Sequence, residues 1–258
     1  MRANLHYFVS DVHLGLDIGE EGLSEKRFVA FLRSLPENTA SLYLLGDIFD
    51  FWYEYKYVVP KGYTRVLGAL AELSDRGVSI YFIKGNHDLW TFGYLEKEIG
   101  FKILGEPEII EIDGVRFCLA HGDELGGKRS FRLMKKLFKN RFLQILLGAV
   151  HSRWVFAFAR RWSRHNRIIR DIKMDFRGES DPLYKYAVEL EKTVKVDNFI
   201  FGHMHTPGNC AIPSGAGFYI LGDWIVGCEY LVFDSESKNL MWRTARMERA
   251  SGSDQNIE

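Results

Sequence analysis

The sequence predicts an α/β fold in which two mixed β-sheets form a sandwich, flanked by helices and interrupted by a helical insertion. Short apolar runs alternate with helical patterns in the first half, and paired strands return in the second half. The chain has 258 residues, of which 47% are hydrophobic and 26% charged. This composition supports a sizeable core and excludes a disordered chain or a repeat array.

The first half of the chain has a β-α-β-α-β order. Three near-continuous apolar runs are typical of strands buried on both faces of a sheet: Leu5–Ser10, Ser41–Gly46 and Val78–Lys84. Apolar residues at helical spacing predict helices over Ser24–Leu35 and Thr64–Arg76. We expect the hydroxyl of Ser24 to cap the first of these helices.

The second half predicts paired strands around a helical insertion. Asp113-Gly114 is a strong hairpin signal between Glu108–Ile112 and Val115–Ala120. Further elements are predicted as strand pairs over Asn209–Leu221 and Glu229–Trp242 and a helix over Pro182–Lys195. We therefore expect a core of residues 1–123 and 182–246, a helical cap of residues 124–181, and a polar, disordered tail at 247–258.

The cap has an unusual charge distribution. Formal net charge is zero, yet Leu125 to Arg170 holds 13 Lys and Arg and no acid, which leaves 21 cationic against 34 acidic residues elsewhere. Trp154, Phe158 and Trp162 follow an i, i+4, i+8 spacing and form one aromatic stripe. An ordinary pair of packed amphipathic helices and a surface for an anionic partner both fit this pattern.

Short clusters of possible metal ligands follow the predicted strands. They are Asp11-Val12-His13, Gly46-Asp47, Gly85-Asn86-His87-Asp88, His121-Gly122-Asp123 and Gly202-His203-Met204-His205. A single cluster of this kind is more often a turn than a site, but five of the eight histidines lie in these segments. Because α/β sheets place ligands at the carboxyl ends of their strands, we expect the clusters to converge on one crevice.

These motifs, in this order, resemble the calcineurin-like metallophosphoesterase superfamily, and they extend from Asp11 to His205. The resemblance implies a metallophosphoesterase β-sandwich with two divalent metal ions. One ion would be held by Asp11, His13 and His205, and the other by Asn86, His121 and His203, with Asp47 as the bridge. Imidazole, carboxylate and amide donors without thiolate suit Mn, Fe or Zn, and we expect Mn.

The residues next to these ligands have expected roles too. His87 is a candidate for stabilising charge on the phosphoryl oxygens or protonating the leaving oxygen, so His87 and Asp47 are the expected catalytic residues. Asp88 could orient that imidazole or cap a turn before a helix beginning near Thr91, and the structural role is preferred. Asp123 and Asp223 are candidates for supporting the ligands.

Within the superfamily, the chain most resembles the UDP-2,3-diacylglucosamine diphosphatases of lipid A synthesis. The resemblance rests on Gly46-Asp47-Ile48-Phe49-Asp50-Phe51-Trp52, on the insertion after His121-Gly122-Asp123, and on Leu221-Gly222-Asp223-Trp224. It implies hydrolysis of an acylated UDP-sugar to UMP and a lipid phosphate. The family's best-known members have Arg at the position of His87. Residues expected to bind substrate are His87, Ser163, Arg164, Asn166 and Arg167.

Other functions fit part of the same pattern. A nuclease or general phosphodiesterase would use the cap to clamp nucleic acid, and a non-catalytic binding module would not need all seven ligand positions. Lipid binding predicts that the aromatic stripe lines a dry cavity, whereas binding of single strands predicts exposed rings. We favour an anionic membrane surface as the partner over nucleic acid.

The location expected from the sequence is cytoplasmic, on the inner face of the cell membrane. The three cysteines form no C-x-x-C motif, and Met1 to Ser10 lacks the long apolar run of a signal peptide. The most apolar stretch, Phe142 to Val150, is far shorter than the roughly 20 residues needed to span a bilayer. We therefore expect peripheral attachment.

Overall fold

The computed structural model describes residues 3–16, 22–125, 136–169 and 176–245, with the backbone alone at 160 and 162–169. The strands alternate with helices in the first half of the chain and pair in the second half. The strands are β1 Leu5–Val9, β2 Thr39–Leu45, β3 Ser79–Ile83, β4 Phe101–Ile103, β5 Glu108–Ile112, β6 Val115–Ala120, β7 Asn198–Phe201, β8 Gly208–Ala211, β9 Gly217–Ile220, β10 Glu229–Asp234 and β11 Asn239–Thr244. The helices are α1 Leu23–Ser34, α2 Thr64–Asp75, α3 Arg141–Ala149, α4 Ser152–Ile169 and α5 Pro182–Glu191.

The strands form two mixed sheets, which confirms the predicted fold class. The first sheet has the order β11-β10-β1-β2-β3-β4, and the second has the order β5-β6-β7-β9-β8. In the first sheet β1 to β4 are parallel, while β10 is antiparallel to β1 and to β11. In the second sheet β6, β7 and β9 are parallel, and β5 and β8 pair antiparallel at its edges.

Apolar side chains fill three layers of the sandwich. Phe8 and Phe117, from different sheets, stack in the layer between the sheets with a ring-centroid distance of 5.6 Å. Val9, the next residue along β1, belongs instead to the layer under α1 and α2. The third layer lies between the second sheet and α5. Alternate residues of a strand thus serve different layers, which explains why the strands read as continuously apolar.

Most predicted elements occur at the expected places. The Asp113-Gly114 hairpin is confirmed, with φ angles of 47° and 85° at its two turn residues. Asp181 caps α5 by accepting a hydrogen bond from Leu183 N at 2.8 Å. The cap segment is helical at α3 and α4, which are bent by 112° at the break between Ala149 and Ser152.

Two local predictions are wrong. Ser24 does not cap α1, because the helix begins one residue earlier and Gly22, with φ of 72°, occupies the cap position without a side-chain hydrogen bond. No α-helix begins near Thr91 in the described chain. A five-residue π-helical turn, Leu95–Ile99, follows instead and ends at Gly100.

Among the described residues no single helix is long and apolar enough to cross a membrane. The bent pair formed by α3 and the first part of α4 passes such a test by length and composition alone.

Candidate metal centre

Five strand ends place the predicted ligand clusters at one edge of the sandwich. Strands β1, β2 and β3 of the first sheet and β6 and β7 of the second each end directly before one cluster. Contacts join the clusters across the sheets: His121 Nε2 lies 3.4 Å from Asp47 Oδ2. His203 N donates to Asp11 Oδ2 at 2.9 Å. The expected convergence is therefore present in the structure.

A first group of ligand atoms comes from Asp11, His13 and His205. These atoms all lie within 4.8 Å of one another. His13 Nε2 and His205 Nε2 are each 3.8 Å from Asp11 Oδ1. The two imidazole rings are stacked with centroids 5.0 Å apart. Three donors from two loops thus face one point.

A second group comes from Asp47, His121 and His203, whose ligand atoms also lie within 4.8 Å of one another. Asp47 belongs to both regions, because its Oδ2 is 3.9 Å from His13 Nε2 and 3.4 Å from His121 Nε2. His87 joins the Asp47 side, with Nε2 4.0 Å from the same oxygen. One carboxylate therefore stands between the two groups.

Unusual backbone angles aim these side chains. Five site residues have left-handed φ angles between 50° and 70°: Asp11, His13, Asp47, His203 and His205. Such angles cost of order 1–3 kcal/mol each in non-glycine residues and cluster at functional sites. The turns are also tight, since a Cβ at Gly46 would lie 2.7 Å from His121 Nδ1. Glycine before Asp47 is thus required by close approach.

Hydrogen bonds fix the two histidine rings nearest Asp47. A carbonyl oxygen only accepts, so His121 Nδ1 donates to Leu45 O at 2.9 Å and His87 Nδ1 donates to Asp50 O at 2.7 Å. Both rings then present Nε2 toward Asp47. An imidazole anchored in this way through its other nitrogen is typical of metal-binding histidines.

Each carboxylate of the centre has one anchored oxygen. Asp11 Oδ2 accepts from Ser10 Oγ at 2.6 Å and from His203 N at 2.9 Å. Asp47 Oδ1 accepts from His87 N at 2.9 Å. Asp11 Oδ1 and Asp47 Oδ2 point instead toward histidine nitrogens. This arrangement leaves one oxygen of each aspartate for a cation.

Burial and mutual charge shift the pKa values of the centre. Burial alone would raise the pKa of Asp47, but His121 and His87 hold it well below its usual range. Burial opposes protonation of His121, yet the negative charge of Asp47 raises its pKa well above 6.5. Burial and the neighbouring His121 lower the pKa of His203 to about 4. Without a cation, the negative charge of Asp47 and a proton on His121 therefore favour each other.

The residues present fit divalent cations. The buried polar atoms without a hydrogen-bond partner in the described structure include Asp11 Oδ1, Asn86 Oδ1, His121 Nε2 and His203 Nδ1. Such atoms are costly in a folded protein unless a ligand satisfies them. The donors are carboxylate, amide and imidazole groups without thiolate, which suits ions such as Mn, Fe and Zn. Together with the two groups, they fit a dimetal site.

Asp88 has a structural position. Its carboxylate is fully buried and accepts from Gly85 N at 2.8 Å and from Ile48 N at 2.7 Å. It thereby ties the loop after β2 to the loop after β3. The expected structural role is confirmed, although the turn it braces does not open a helix.

Asp223 and Asp123 lie beside the ligand histidines. Asp223 Oδ2 is 3.7 Å from His205 Nδ1 and its other oxygen accepts from Val226 N at 3.0 Å. Asp123 is buried, and its charge acts on His121 and His203.

Sequence reasoning gave Asp50 and Ser10 no role in the centre. Asp50 Oδ1 lies 3.6 Å from His13 Nδ1 and 3.7 Å from His87 Nδ1. The signal that could have found it is its place three residues after Asp47 in the motif.

The cap residues are only partly described. Ser163, Arg164, Asn166 and Arg167 lie on α4, but their side chains are outside the described part of the structure, as is that of Trp162. Trp154 and Phe158 are 68% and 65% exposed. For these two rings the expectation of a dry cavity is wrong, because both side chains are largely exposed whereas Val155 of the same helix is buried.

The cap is attached to the loops of the centre. Phe156 of α4 meets Phe51 edge to face with centroids 5.1 Å apart. Tyr53 donates its hydroxyl to Gln144 O of α3 at 2.7 Å, and Trp90 Nε1 donates to Phe138 O at 3.3 Å. Phe51 and Tyr53 follow Asp47, and Trp90 follows His87. The cap thus rests on the loops that carry the centre.

An α/β sandwich with two His/Asp groups at the carboxyl ends of its strands defines a metallophosphoesterase. The chain belongs to the calcineurin-like phosphoesterase family, whose model matches residues 7–207. It is a metal-dependent hydrolase.

Curated relatives narrow the comparison. A UDP-2,3-diacylglucosamine hydrolase of Porphyromonas gingivalis is 38% identical over 250 residues, covering 91% of this chain and 95% of that protein. One of Ralstonia nicotianae, with the same name, is 26% identical and covers 84% of this chain and 83% of that protein. A solved dimetal phosphatase of Danio rerio is 16% identical with a TM-score of 0.48, covering 95% of this chain and all of that one.

Proposed function

We propose that this protein hydrolyses the pyrophosphate bond of UDP-2,3-diacylglucosamine to UMP and 2,3-diacylglucosamine 1-phosphate. The observation that carries the reaction class is the position of Asp47 Oδ2 between His13 Nε2 at 3.9 Å and His121 Nε2 at 3.4 Å. The substrate is supported by the names of the relatives, the first of which is 38% identical over most of both chains.

The proposed ligand assignment follows the two groups. Asp11, His13 and His205 would hold one cation, and Asn86, His121 and His203 the other, with Asp47 as the bridge. Its support is the grouping of the aspartate and histidine atoms, together with the unpartnered Asn86 Oδ1 in the loop after β3. Mn is the proposed metal, with Fe or Zn as alternatives.

The chain's own residues would position the reacting groups. When bound, two divalent cations supply Lewis-acid stabilisation of the phosphoryl oxygens and activate water as the nucleophile. His87 keeps a proton on Nδ1 through its bond to Asp50 O, and Nε2 is then the nitrogen that would hold a proton for a phosphoryl or leaving oxygen. Asp88 would hold the loops after β2 and β3 in place while Asp47 binds the cations.

The cap would bind the rest of the substrate. Ser163, Arg164, Asn166 and Arg167 are the proposed contacts to phosphate or sugar, since α4 carries them and Phe156 of the same helix packs on Phe51 near the centre. Arginine suits phosphate because its planar guanidinium offers several donors.

We place the enzyme in the cytoplasm, peripheral on the inner face of the cell membrane. Support comes from Trp154 and Phe158, which are exposed beside a cationic segment. Exposed aromatic rings next to Lys and Arg are typical of surfaces that lie on anionic bilayers.

A nuclease or general phosphodiesterase is the second candidate. The same exposed rings of Trp154 and Phe158 favour it, because bases of single-stranded nucleic acid stack on such faces. Nucleic acid remains the less favoured partner, since the curated relatives are named for a diacylated UDP-sugar.

Parallel turnover assays test the proposal. The Mn-loaded protein is offered UDP-2,3-diacylglucosamine in mixed micelles, a small soluble phosphodiester, single-stranded DNA and RNA. We expect UMP and the lipid phosphate as products, with much slower cleavage of nucleic acid. An intact lipid together with efficient cleavage of DNA or RNA would replace the proposed substrate by nucleic acid.

A further inference from the structure

A cavity of about 560 Å³ lies to the side of the metal centre, between two loops. One wall is the Glu54–Val59 segment that follows β2, and the other is formed by Phe92–Tyr94 with Lys97 and Glu98. Its volume falls within the range of small-molecule sites, roughly 300–1,000 Å³. None of the residues placed in the metal centre lines it.

The floor of the cavity is preformed. Glu54 is buried, and its carboxylate accepts from Trp52 Nε1 at 3.1 Å, from Tyr94 N at 3.0 Å and from Phe92 N. These bonds join the two walls. Three donors also compensate the charge of Glu54, so the floor does not repel an anion as an unpaired carboxylate would.

The rim combines apolar and charged side chains. Tyr57 is 85%, Val58 58% and Phe92 41% exposed. Lys56 and Lys97 are exposed, and within the described residues neither forms an ion pair. The exposed Glu98 also lines the cavity, so the rim sets two lysines against one carboxylate. This excess of positive charge beside aromatic rings favours a ligand with an apolar part and a negative group.

The cavity lies next to the start of α3. The guanidinium of Arg141, the first residue of α3, lies 5.9 Å from the centroid of the Phe92 ring. The next exposed residues on α3 are Phe142 and Ile145. A bilayer bound at these side chains would lie near Phe92, a lining residue of the cavity, and would supply a source for the ligand.

We propose that this cavity binds one anionic phospholipid, with the phosphate between Lys56 and Lys97 and the start of an acyl chain against Tyr57, Val58 and Phe92. The choice of a membrane lipid as the source depends on the proposed membrane location. A lipid held here would fix the side of the molecule that faces the bilayer. It would be bound apart from the substrate.

Binding of a short-chain lipid tests the proposal. Dihexanoylphosphatidylglycerol, kept monomeric below its critical micelle concentration, is titrated into the full-length protein and compared with dihexanoylphosphatidylcholine and with glycerol phosphate. We expect saturable binding of the anionic lipid that a Lys56→Ala/Lys97→Ala variant weakens about 30-fold, or about 2 kcal/mol for two lysines. The matched control is Lys185→Ala/Lys195→Ala, which removes two exposed lysines elsewhere.

The apolar rim is tested separately. Tyr57→Ser should weaken binding of the anionic lipid roughly 5-fold or more and leave binding of glycerol phosphate unaffected. Val226→Ser, at an equally exposed residue outside the cavity, should change neither affinity. Equal affinity for both lipids, or equal losses in both lysine variants, would overturn the site. Glycerol phosphate binding as tightly as the lipid would overturn the lipid source.

Hydrolysis of UDP-2,3-diacylglucosamine is measured on the same variants. We expect an unchanged kcat in mixed micelles, because none of the substituted residues belongs to the metal centre. If the wild-type protein binds the anionic lipid but leaves the UDP-sugar intact, the proposed function fails and the lipid site stands. If it hydrolyses the UDP-sugar but binds no short-chain lipid, only the lipid site fails.

Discussion

Asp47 is the residue on which the centre depends most. Its Oδ1 is held by His87 N, and its Oδ2 faces His13, His87 and His121 at 3.4–4.0 Å. A left-handed φ of 53° and the glycine before it make this orientation possible. Replacing this carboxylate removes the group shared by both proposed ion sites.

Asp47→Ala should therefore lower kcat by more than about 10³-fold, since transition-state stabilisation by both cations depends on it. Metal analysis should find fewer than two tightly held ions per chain, while circular dichroism shows a folded protein. Asp75→Ala, which removes an exposed carboxylate at the end of α2, is the control. Two retained ions or undiminished activity in Asp47→Ala would contradict the bridging role.

His87→Ala should slow hydrolysis by roughly 10² to 10⁴-fold if Nε2 delivers a proton to the leaving oxygen. His87→Arg should retain more activity than His87→Ala, because a guanidinium still stabilises phosphoryl charge. The kcat values of the three proteins are compared at saturating substrate. A loss below about 5-fold in His87→Ala would reduce this residue to a positioning role.

Cation binding should release protons. Although burial opposes protonation, the charge of Asp47 raises the pKa of His121 well above 6.5, which favours the protonated imidazole in the metal-free protein. A metal needs the neutral imidazole, and binding must therefore displace that proton. We expect protons to be released on metal binding near pH 7 and binding to tighten as the pH rises, measured by calorimetry in buffers of different ionisation enthalpy. A metal affinity that does not change between pH 6 and 8 would contradict the release of protons on metal binding.

The convergence of the candidate ligand residues could be predicted from the sequence, but the groups that support them could not. Asp11, Asp47, Asn86, His121 and His203 each follow an apolar run, and the edge of a parallel sheet brings such positions together. The left-handed φ angles of the aspartates and histidines leave no mark in a sequence, since neither residue type requires them. The contacts of Asp50 depend on the same loop geometry.

At the level of elements, the loops after β2 and β3 serve both the centre and the cap. The backbone carbonyl of Asp50 orients His87, and the next residue, Phe51, packs on Phe156 of α4. Tyr53 holds α3 through Gln144 O. Displacement of the cap would therefore disturb residues adjacent to the proposed acid.

The exposed rings of α4 give the clearest test of the cap. Trp154→Ser/Phe158→Ser should weaken binding to anionic vesicles and raise KM for acylated substrate, each roughly 10-fold or more, at about 1 kcal/mol for each partly exposed ring. Hydrolysis of a small soluble phosphodiester should be unchanged. Val226→Ser serves as the control at an exposed residue off the cap. Equal losses on soluble and acylated substrates would indicate a packing role.

The strands that the sequence predicts lie within about two residues of observed strands, because most of them are apolar runs that end at a turn or ligand cluster. The strands β4 and β7 were not predicted. The start of α1 was not, because Gly22 adopts a left-handed φ that makes the hydroxyl of Ser24 unnecessary. The backbone path after Trp90 could not be predicted from the sequence either. Phe92 N and Tyr94 N donate hydrogen bonds to the Glu54 carboxylate on another loop, and these tertiary contacts replace the expected helix.

At the scale of the whole molecule, charge and apolar surface are divided between two parts. The segment from Leu125 to Arg170 holds 13 of the 34 cationic residues and no acid, while the buried carboxylates of the centre lie in the sandwich. Cations bound at Asp11 and Asp47 would offset the negative charge of the buried carboxylates in the sandwich. A substrate with both phosphates and acyl chains matches this division, because each of its parts meets a surface of suited chemistry.

Hydrolysis of UDP-2,3-diacylglucosamine in ¹⁸O-labelled water tests the central claim most directly. The resemblance to UDP-2,3-diacylglucosamine diphosphatases implies attack on the phosphorus of the UMP side, so mass spectrometry should find the label in UMP and none in 2,3-diacylglucosamine 1-phosphate. Label in the lipid phosphate would contradict the attack site, and an unhydrolysed lipid with the metals bound would contradict the function.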